Sequence, residues 1–504
     1  MGRMSEPNAV QVVIVDTPGL GDRGYIVHDG LHAMVIDPQR DTDRIDELII
    51  ARGLTVTHVA ETHIHNDYVT GGYHLAAAHQ ARYVVPSGVD LAFLGQPNVD
   101  VVGDGSTFGV GELEVAVVHT PGHTPHHISF AVSRDGGSGD GLPGMVFTGG
   151  SLLYGTVGRP DLVSPEATVQ QAADQWHSAH KLVDQLDGQT RIYPTHGFGS
   201  FCSSIQTTGT ESSLEQERQT NPALTQTESD FVDMVLAGLD VFPAYYAHMG
   251  PANAAGPTGV DLSAPEVADG AELRRRIEVG EWVVDLRSRA VFMPAHVPGS
   301  INVDLSGSFV NYLGWMIPWG TPLTLIGDTR EQVATAQREI VRIGIDRPVR
   351  QAVGDVTSWM PEGQSPASIR RIDFASLAAE WQPGSSDIVL DTRQILEWES
   401  GHIKDATFMP FYDVAARMNE IPRQGTVYVH CGSGYRASVV VSLMRNLGWE
   451  NVVHVDDAFG KAAAAGLEIV SEEAPEREPG WTWTASRAGV RAFTPGAVSK
   501  GVSA

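Results

Sequence analysis

The segment TVYVHCGSGYRASVVVSLMRNLGW carries the clearest chemistry in the chain. TVYVH reads as a buried strand, CGSGYR as a glycine-containing loop and ASVVVSLMRNLGW as a helix with an apolar face. Cys431 then sits at a strand-to-helix turn, beside free backbone N–H groups and the positive end of a helix dipole. Both favour thiolate over thiol. Gly432 and Gly434 let successive N–H groups converge as an anion-binding nest, with Ser433 and Tyr435 completing the cradle. Arg436 closes the loop with a fixed positive charge. A thiolate so placed is a nucleophile able to carry a group covalently; the plainer alternative is a small buried residue at a strand end.

A second set of residues suggests a metal. ETHIHNDYVTGG places His63, His65 and Asp67 just after a strand-like run, TPGHTPHH contributes His123 and IYPTHG contributes His196. Histidines at i and i+2 on an irregular loop, with two more on Pro/Gly turns, fit a metal site assembled at strand ends. Cys202 follows His196 by six residues in HGFGSFC. It reads either as a second thiol near that site or as a buried structural thiol.

The elements that must position these groups are legible in outline. Up to about residue 250, short β-like runs (VQVVIVD, HAMVIDP, ELEVAVVHT) alternate with helical stretches (DRIDELIIARG, TVQQAADQWHSAHKLVDQL), an α/β pattern with layered sheets. MGPANAAGPTGVDLSAP and SWMPEGQSPAS read as linkers. Between and beyond them the chain repeats itself. VVDLR ending at Arg287 matches VLDTR ending at Arg393, AHVPGSINV with His296 matches GHIKDATFM with His402, and TPLTLIGD with Gly327 matches GTVYVHCG with Cys431. Gly327 stands where Cys431 does and Gln332 where Arg436 does, so the first copy has no thiol. The expected domains are 1–250, 260–362, 368–475 and a C-terminal tail, 476–504, in which Trp481 and Trp483 are candidates for packing on a neighbour.

Composition sets the bounds. The 504 residues suit three or four domains. A net charge of −27, spread along the chain, argues against nucleic acid and anionic membrane surfaces as partners. Two cysteines make no disulfide framework. With no visible secretory signal and no run of 18 apolar residues, the expected location is the cytoplasm.

CGSGYR, with the flanking VLDTR and GHIKDA, resembles the active loop and signature segments of the rhodanese sulfurtransferases. A tyrosine phosphatase loop is one residue longer. The resemblance implies a sulfane sulfur carried on Cys431 and a first copy that is catalytically silent. The histidine order over roughly residues 10–250 resembles the metallo-β-lactamase superfamily, in the branch of glyoxalase II and the persulfide dioxygenases. TGGSLLYGTVGRPDL and ERQTNPAL, with Asn221, carry that likeness too.

The implied fold is a metallo-β-lactamase αββα sandwich followed by two rhodanese-like, doubly wound α/β domains. The implied cofactor is one divalent metal, iron before zinc, in a set of two histidines and one carboxylate. The implied partners are small persulfides and thiols such as glutathione-type persulfide, thiosulfate or sulfite, and a homo-oligomer is expected. Two departures stand out. Tyr68 replaces a histidine that would hold a second metal, and Gly150 replaces the aspartate that would supply the carboxylate. Three readings follow: a metal on His63, His65 and His123 with oxygen from Asp67 or Asp161, a different metal or chemistry, or a metal-free binding scaffold. A glyoxalase II-type thioester hydrolase is the alternative activity.

Overall fold

A computed structural model describes residues 10–134, 144–204, 209–474, 482–485 and 491–494. The chain forms two compact units, the first chiefly Met1–Val260, the second chiefly Asp261–Ile340 and Ile345–Trp483.

The first unit is a sandwich of two six-stranded sheets. One runs in chain order through Gln11–Thr17, Asp22–His28, His32–Ile36, Thr55–Ala60, Arg82–Pro86 and Val99–Val102. The other has the order Ser212–Ser213, Arg191–Pro194, Met145–Gly149, Ile128–Arg134, Leu113–His119, Thr107–Val110. Period-two alternation explains the layering. Tyr25, Val27, Met34 and Ile36 face Val115, Val117, Phe130 and Phe147 between the sheets. Their neighbours Ile26, Ala33 and Val35 turn the other way, onto Ile45 and Ile49 of the helix Asp43–Arg52 and Leu75 of the helix Gly72–His79. On the far face, Val146 and Ile192 pack against Ala179 and Leu182 of the helix Thr168–Gln185 and Phe231 of the helix Glu228–Gly238. Each sheet is thus covered by helices on its outer face.

The second unit contains two parallel sheets. Ile301–Asn302, Trp282–Asp285, Leu323–Gly327 and Arg350–Val353 form one in that order. Arg370–Ile372, Val452–Val455, Val427–His430, Ile388–Asp391 and Thr407–Phe408 form the other. The strands run in the same spatial order in both copies. The extra edge strand of the second is reduced in the first to one parallel bridge, Val267 to Gln351.

The repeat extends to single side chains. Arg287 forks onto Asp285 and reaches the Ala295 carbonyl, and Arg393 forks onto Asp391 and reaches the Gly401 carbonyl. His296 lies flat on Phe292 and bonds its carbonyl, as His402 does with Trp398.

One expectation meets a different structure. The first six residues of the segment read as a linker, 249–254, belong to the helix Tyr246–Ala254, which packs into the first unit. Of the tail, only Thr482–Ala485 and Arg491–Thr494 are described, as a two-stranded sheet; Trp481 lies outside the described residues.

The buried Arg–Asp forks generate a stability prediction. Arg287→Ala leaves Asp285 buried without its partner, and losing one member of such a pair costs about 3–5 kcal/mol. Denaturant unfolding of the full chain should show that loss in the transition of the second unit, whereas a change below about 1 kcal/mol, the ordinary worth of an exposed pair, would contradict it.

Candidate functional site

In the first unit the histidines converge where strands end. Thr55–Ala60 leads into the loop of His63 and His65, Leu113–His119 into the turn of His123, and Arg191–Pro194 into His196. All four are buried. His63 Nε2 and His196 Nε2 are 3.3 Å apart. That is close to the edge of a tetrahedron whose metal–nitrogen bonds are about 2.0–2.1 Å.

Each ring is fixed through its other nitrogen. His63 Nδ1 meets Thr62 Oγ1 at 2.9 Å, His123 Nδ1 meets the Arg159 carbonyl at 2.9 Å, and His196 Nδ1 meets Asp22 at 2.9 Å and Asp67 at 3.3 Å. His65 Nε2 lies 3.3 Å from both Asp37 and Glu61. This back-side bonding is how proteins orient metal-binding imidazoles. It leaves His123 Nε2 and His65 Nδ1 buried with no hydrogen-bond partner among the described residues.

The carboxylates set the electrostatics. Burial pushes His65 down, but Asp37 and Glu61 outweigh it and hold the ring up at about 9. His196 is carried up to about 10 in the same way, by Asp67 and Asp22 against burial. Burial, then Asp67, raises Asp22 to about 8. His123 has no carboxylate behind it, and burial with the charge of His196 lowers it to about 3. Asp37 adopts φ of 50°, a strained backbone for aspartate. Its carboxylate collects the Thr62 N–H and the Thr62 and Thr195 hydroxyls.

Asp22, Asp37 and Glu61 carry no spacing signal in the sequence. Neither does Asn253, whose amide donates to the carbonyls of His65 and Tyr68 and so pins the histidine loop. Tyr68 stacks on His65, and its hydroxyl stands 3.0 Å from His65 Nε2, on the carboxylate side of the ring. Asp161 is gripped by both arms of Arg159, at 2.7 and 2.8 Å, so the oxygen it was expected to offer a metal is already engaged.

Gly150 is more than a missing ligand. A Cβ there would overlap His123 Cδ2 and stand 2.6 and 2.7 Å from Cγ and Nε2 of the same ring. A Cβ on Gly158 would stand 2.7 Å from His123 Nδ1. The ring is seated in a slot between two glycines and fills the space that a side chain at 150 needs. The Gly150 N–H donates to His127 Nε2, and His127 stacks on His63. The donors therefore suit a divalent cation in their nitrogens, but not a set completed by a carboxylate at position 150.

Cys202 lies with its thiol fully buried, 3.6 Å from the Tyr246 hydroxyl. Among the described residues the groups able to hold a cation are His63, His65 and His196; His123, His196 and Cys202; Asp22, Asp67 and His196; and Asp37, Glu61 and His65.

In the second unit, Cys431 follows the strand Val427–His430, and Gly434 caps the helix Tyr435–Asn446. The Gly434 N–H points at Cys431 Sγ from 3.2 Å. Gly434 has φ of 89°, and a Cβ on it would overlap the Asp456 carboxylate, so glycine is required there. Arg436 is held by both oxygens of Glu397, at 2.5 and 2.7 Å. The first copy braces this loop: Arg289 donates to the Ser433 carbonyl and bonds Asp456, and the Tyr435 hydroxyl donates to the Asp304 carbonyl.

The equivalent loop of the first copy is closed from within. Gln332 Oε1 accepts the N–H groups of Asp328 and Thr329, at 2.7 and 3.3 Å. Its own side chain occupies the nest.

Because the ring of His123 already fills the slot, Gly150→Asp should not repair the metal set. Forced packing of this kind costs about 1–3 kcal/mol. The variant should melt lower than the parent and bind no more iron by elemental analysis; a variant of unchanged melting temperature that gains stoichiometric iron would contradict the slot.

A family model described as the metallo-beta-lactamase superfamily matches residues 23–196, and one described as a rhodanese-like domain matches residues 375–465. Human "Persulfide dioxygenase ETHE1, mitochondrial" is 31% identical over 219 residues, covering 43% of this chain and 74% of its own. A hydroxyacylglutathione hydrolase from Rhizobium johnstonii is 30% identical over 179 residues, 35% of this chain and 62% of that one. The crystal structure of a metallo-beta-lactamase from Staphylococcus aureus subsp. aureus COL superposes with a TM-score of 0.61 at 28% identity, covering 69% of this chain and all of that one. Through its first half, the chain belongs to the persulfide dioxygenase family of the metallo-beta-lactamase superfamily, and it carries a rhodanese-like domain toward its C-terminus.

Proposed function

We propose that the chain is a sulfur-metabolism enzyme. It transfers sulfane sulfur through a persulfide on Cys431 and acts with its metallo-β-lactamase half on persulfides of low-molecular-weight thiols. The observation that carries the reading is the contrast between two loops of equal length. One directs an N–H at a cysteine sulfur beneath an arginine, and the other is plugged by Gln332.

The transfer needs no cofactor. The Cys431 thiolate attacks the outer sulfur of thiosulfate or of a glutathione-type persulfide. A sulfur–sulfur bond forms, and sulfite or the thiolate leaves with its electron pair. The terminal sulfur of Cys431–S–S⁻ takes up position in the nest, where the Gly434 N–H and the positive end of the following helix face it. A thiolate or cyanide then attacks that sulfur, takes it, and returns Cys431 as thiolate. Arg436, paired to Glu397, supplies fixed charge at the loop mouth. The first copy is the catalytically silent partner: Arg289 and the Asp304 carbonyl position Ser433 and Tyr435.

For the first half, the likeness to a persulfide dioxygenase supports a persulfide substrate. A divalent metal there would draw its ligands from among His63, His65, His123 and His196, of which His63, His65 and His196 offer nitrogens within 4.8 Å of one another. The residues do not assemble a two-histidine-one-carboxylate iron site with position 150, which brings no carboxylate. The likeness to a hydroxyacylglutathione hydrolase favours a second reading, thioester hydrolysis. Tyr68, turned to the back of His65, counts against a two-metal version of it.

Cys431→Ser should lower thiosulfate-dependent thiocyanate formation by more than about a thousandfold, because the nucleophile of a covalent route is lost. Gly327→Cys should fail to restore it, since Gln332 still fills that nest. Full activity in Cys431→Ser would end the reading. For the first half, consumption of glutathione persulfide by the metal-loaded chain is expected, and thioester hydrolysis without it would move the assignment to the second reading.

A further inference from the structure

The metal set of the first unit lacks its carboxylate, and the structure places another anionic donor beside it. We infer that Cys202 completes a metal site with His123 and His196, its thiolate taking the part that position 150 cannot. The inference rests on the reading that the first half holds a metal and goes beyond it by naming the donor.

Three observations carry it. First, Cys202 Sγ and one ring nitrogen each of His123 and His196 lie within 4.8 Å of one another, and all three residues are buried. Second, His123 Nε2 is buried with no hydrogen-bond partner among the described residues, while its Nδ1 is tied to the Arg159 carbonyl. An imidazole held through one nitrogen and bare at the other is oriented as a ligand, and an unpaired buried nitrogen otherwise costs stability. Third, one residue fixes two of these donors together. The Arg159 carbonyl holds His123, and the Arg159 N–H donates to the Cys202 carbonyl at 2.8 Å. The bridge between Gly158 and Ser203 and the bond from the Cys202 N–H to Ser200 Oγ tie the same two segments.

The chemistry is that of a soft-donor site. A buried thiol stays protonated alone, and burial pushes this one up. A cation displaces that proton and leaves a thiolate that neutralises half its charge. Two imidazoles and a thiolate select zinc, cobalt(II) or ferrous iron over magnesium and calcium.

The test uses cobalt(II) loaded into the metal-free full chain, read by absorption. Wild type should bind one cobalt in this unit and show thiolate-to-cobalt charge transfer in the near ultraviolet. Cys431→Ser should keep that band, and Cys202→Ser should lose it while retaining the visible bands of histidine-bound cobalt. Cobalt bound without the charge-transfer band, or a band that survives Cys202→Ser, overturns the inference and leaves the metal reading in place. Failure of wild type to bind cobalt overturns both. Because a serine at 202 could disturb folding, zinc-edge X-ray absorption of the zinc-loaded wild type gives an independent answer: one sulfur in the coordination sphere is expected, and a shell of nitrogen and oxygen alone refutes the thiolate.

Discussion

The ring of His123 sits where the side chain of residue 150 would be, and the rest of the metal half is arranged around that fact. Close packing leaves no spare volume in a protein interior. A ring can approach two backbone segments this closely only if both are glycine, and Gly150 and Gly158 provide that. Glycine at 150 and the seating of this ring therefore go together in this chain. The same constraint governs the cysteine loop, where Gly434 lies against Asp456 with no room for a Cβ.

Charge is the second organising term. Burying so many imidazoles and carboxylates is tolerable because His65 and His196 stand against carboxylates. Asp37, Glu61, Asp22 and Asp67 sit behind His65 and His196 rather than before them. They fix which nitrogen faces inward, and the cost appears as a strained Asp37 backbone. Tyr68 joins this supporting layer, which explains how a ligand position can change identity without collapse of the loop.

What the sequence disclosed follows from the range of the interactions. The cysteine loop was legible because strand, glycines, thiol and arginine are consecutive. The repeat was legible because both copies keep the same Arg–Asp fork and the same histidine stacked on an aromatic ring. Layered sheets were legible from strand-like runs alternating with helical stretches, and the sandwich from the resemblance carried by the histidine order. The supporting carboxylates were not, because they come from afar: Asp22 meets His196 across 174 positions, and Asn253 meets His65 across 188. Its Pro/Gly-rich surroundings made Asn253 look like linker. The sequence showed that Gly150 removes a ligand, yet only the packing reveals that the space is taken. Gln332 was readable as a missing arginine, but not as the plug of its own loop.

In the proposed function the two halves share one substrate chemistry, sulfur bonded to sulfur, with histidine donors in one and a thiolate in the other. Its most direct test is to treat the full chain with thiosulfate, remove the excess, and map added sulfur by mass spectrometry of peptides from a non-reducing digest. The account predicts one extra sulfur atom on the Cys431 peptide, lost on addition of cyanide with matching formation of thiocyanate. A Cys431 peptide that stays unmodified while thiocyanate is still formed would contradict it.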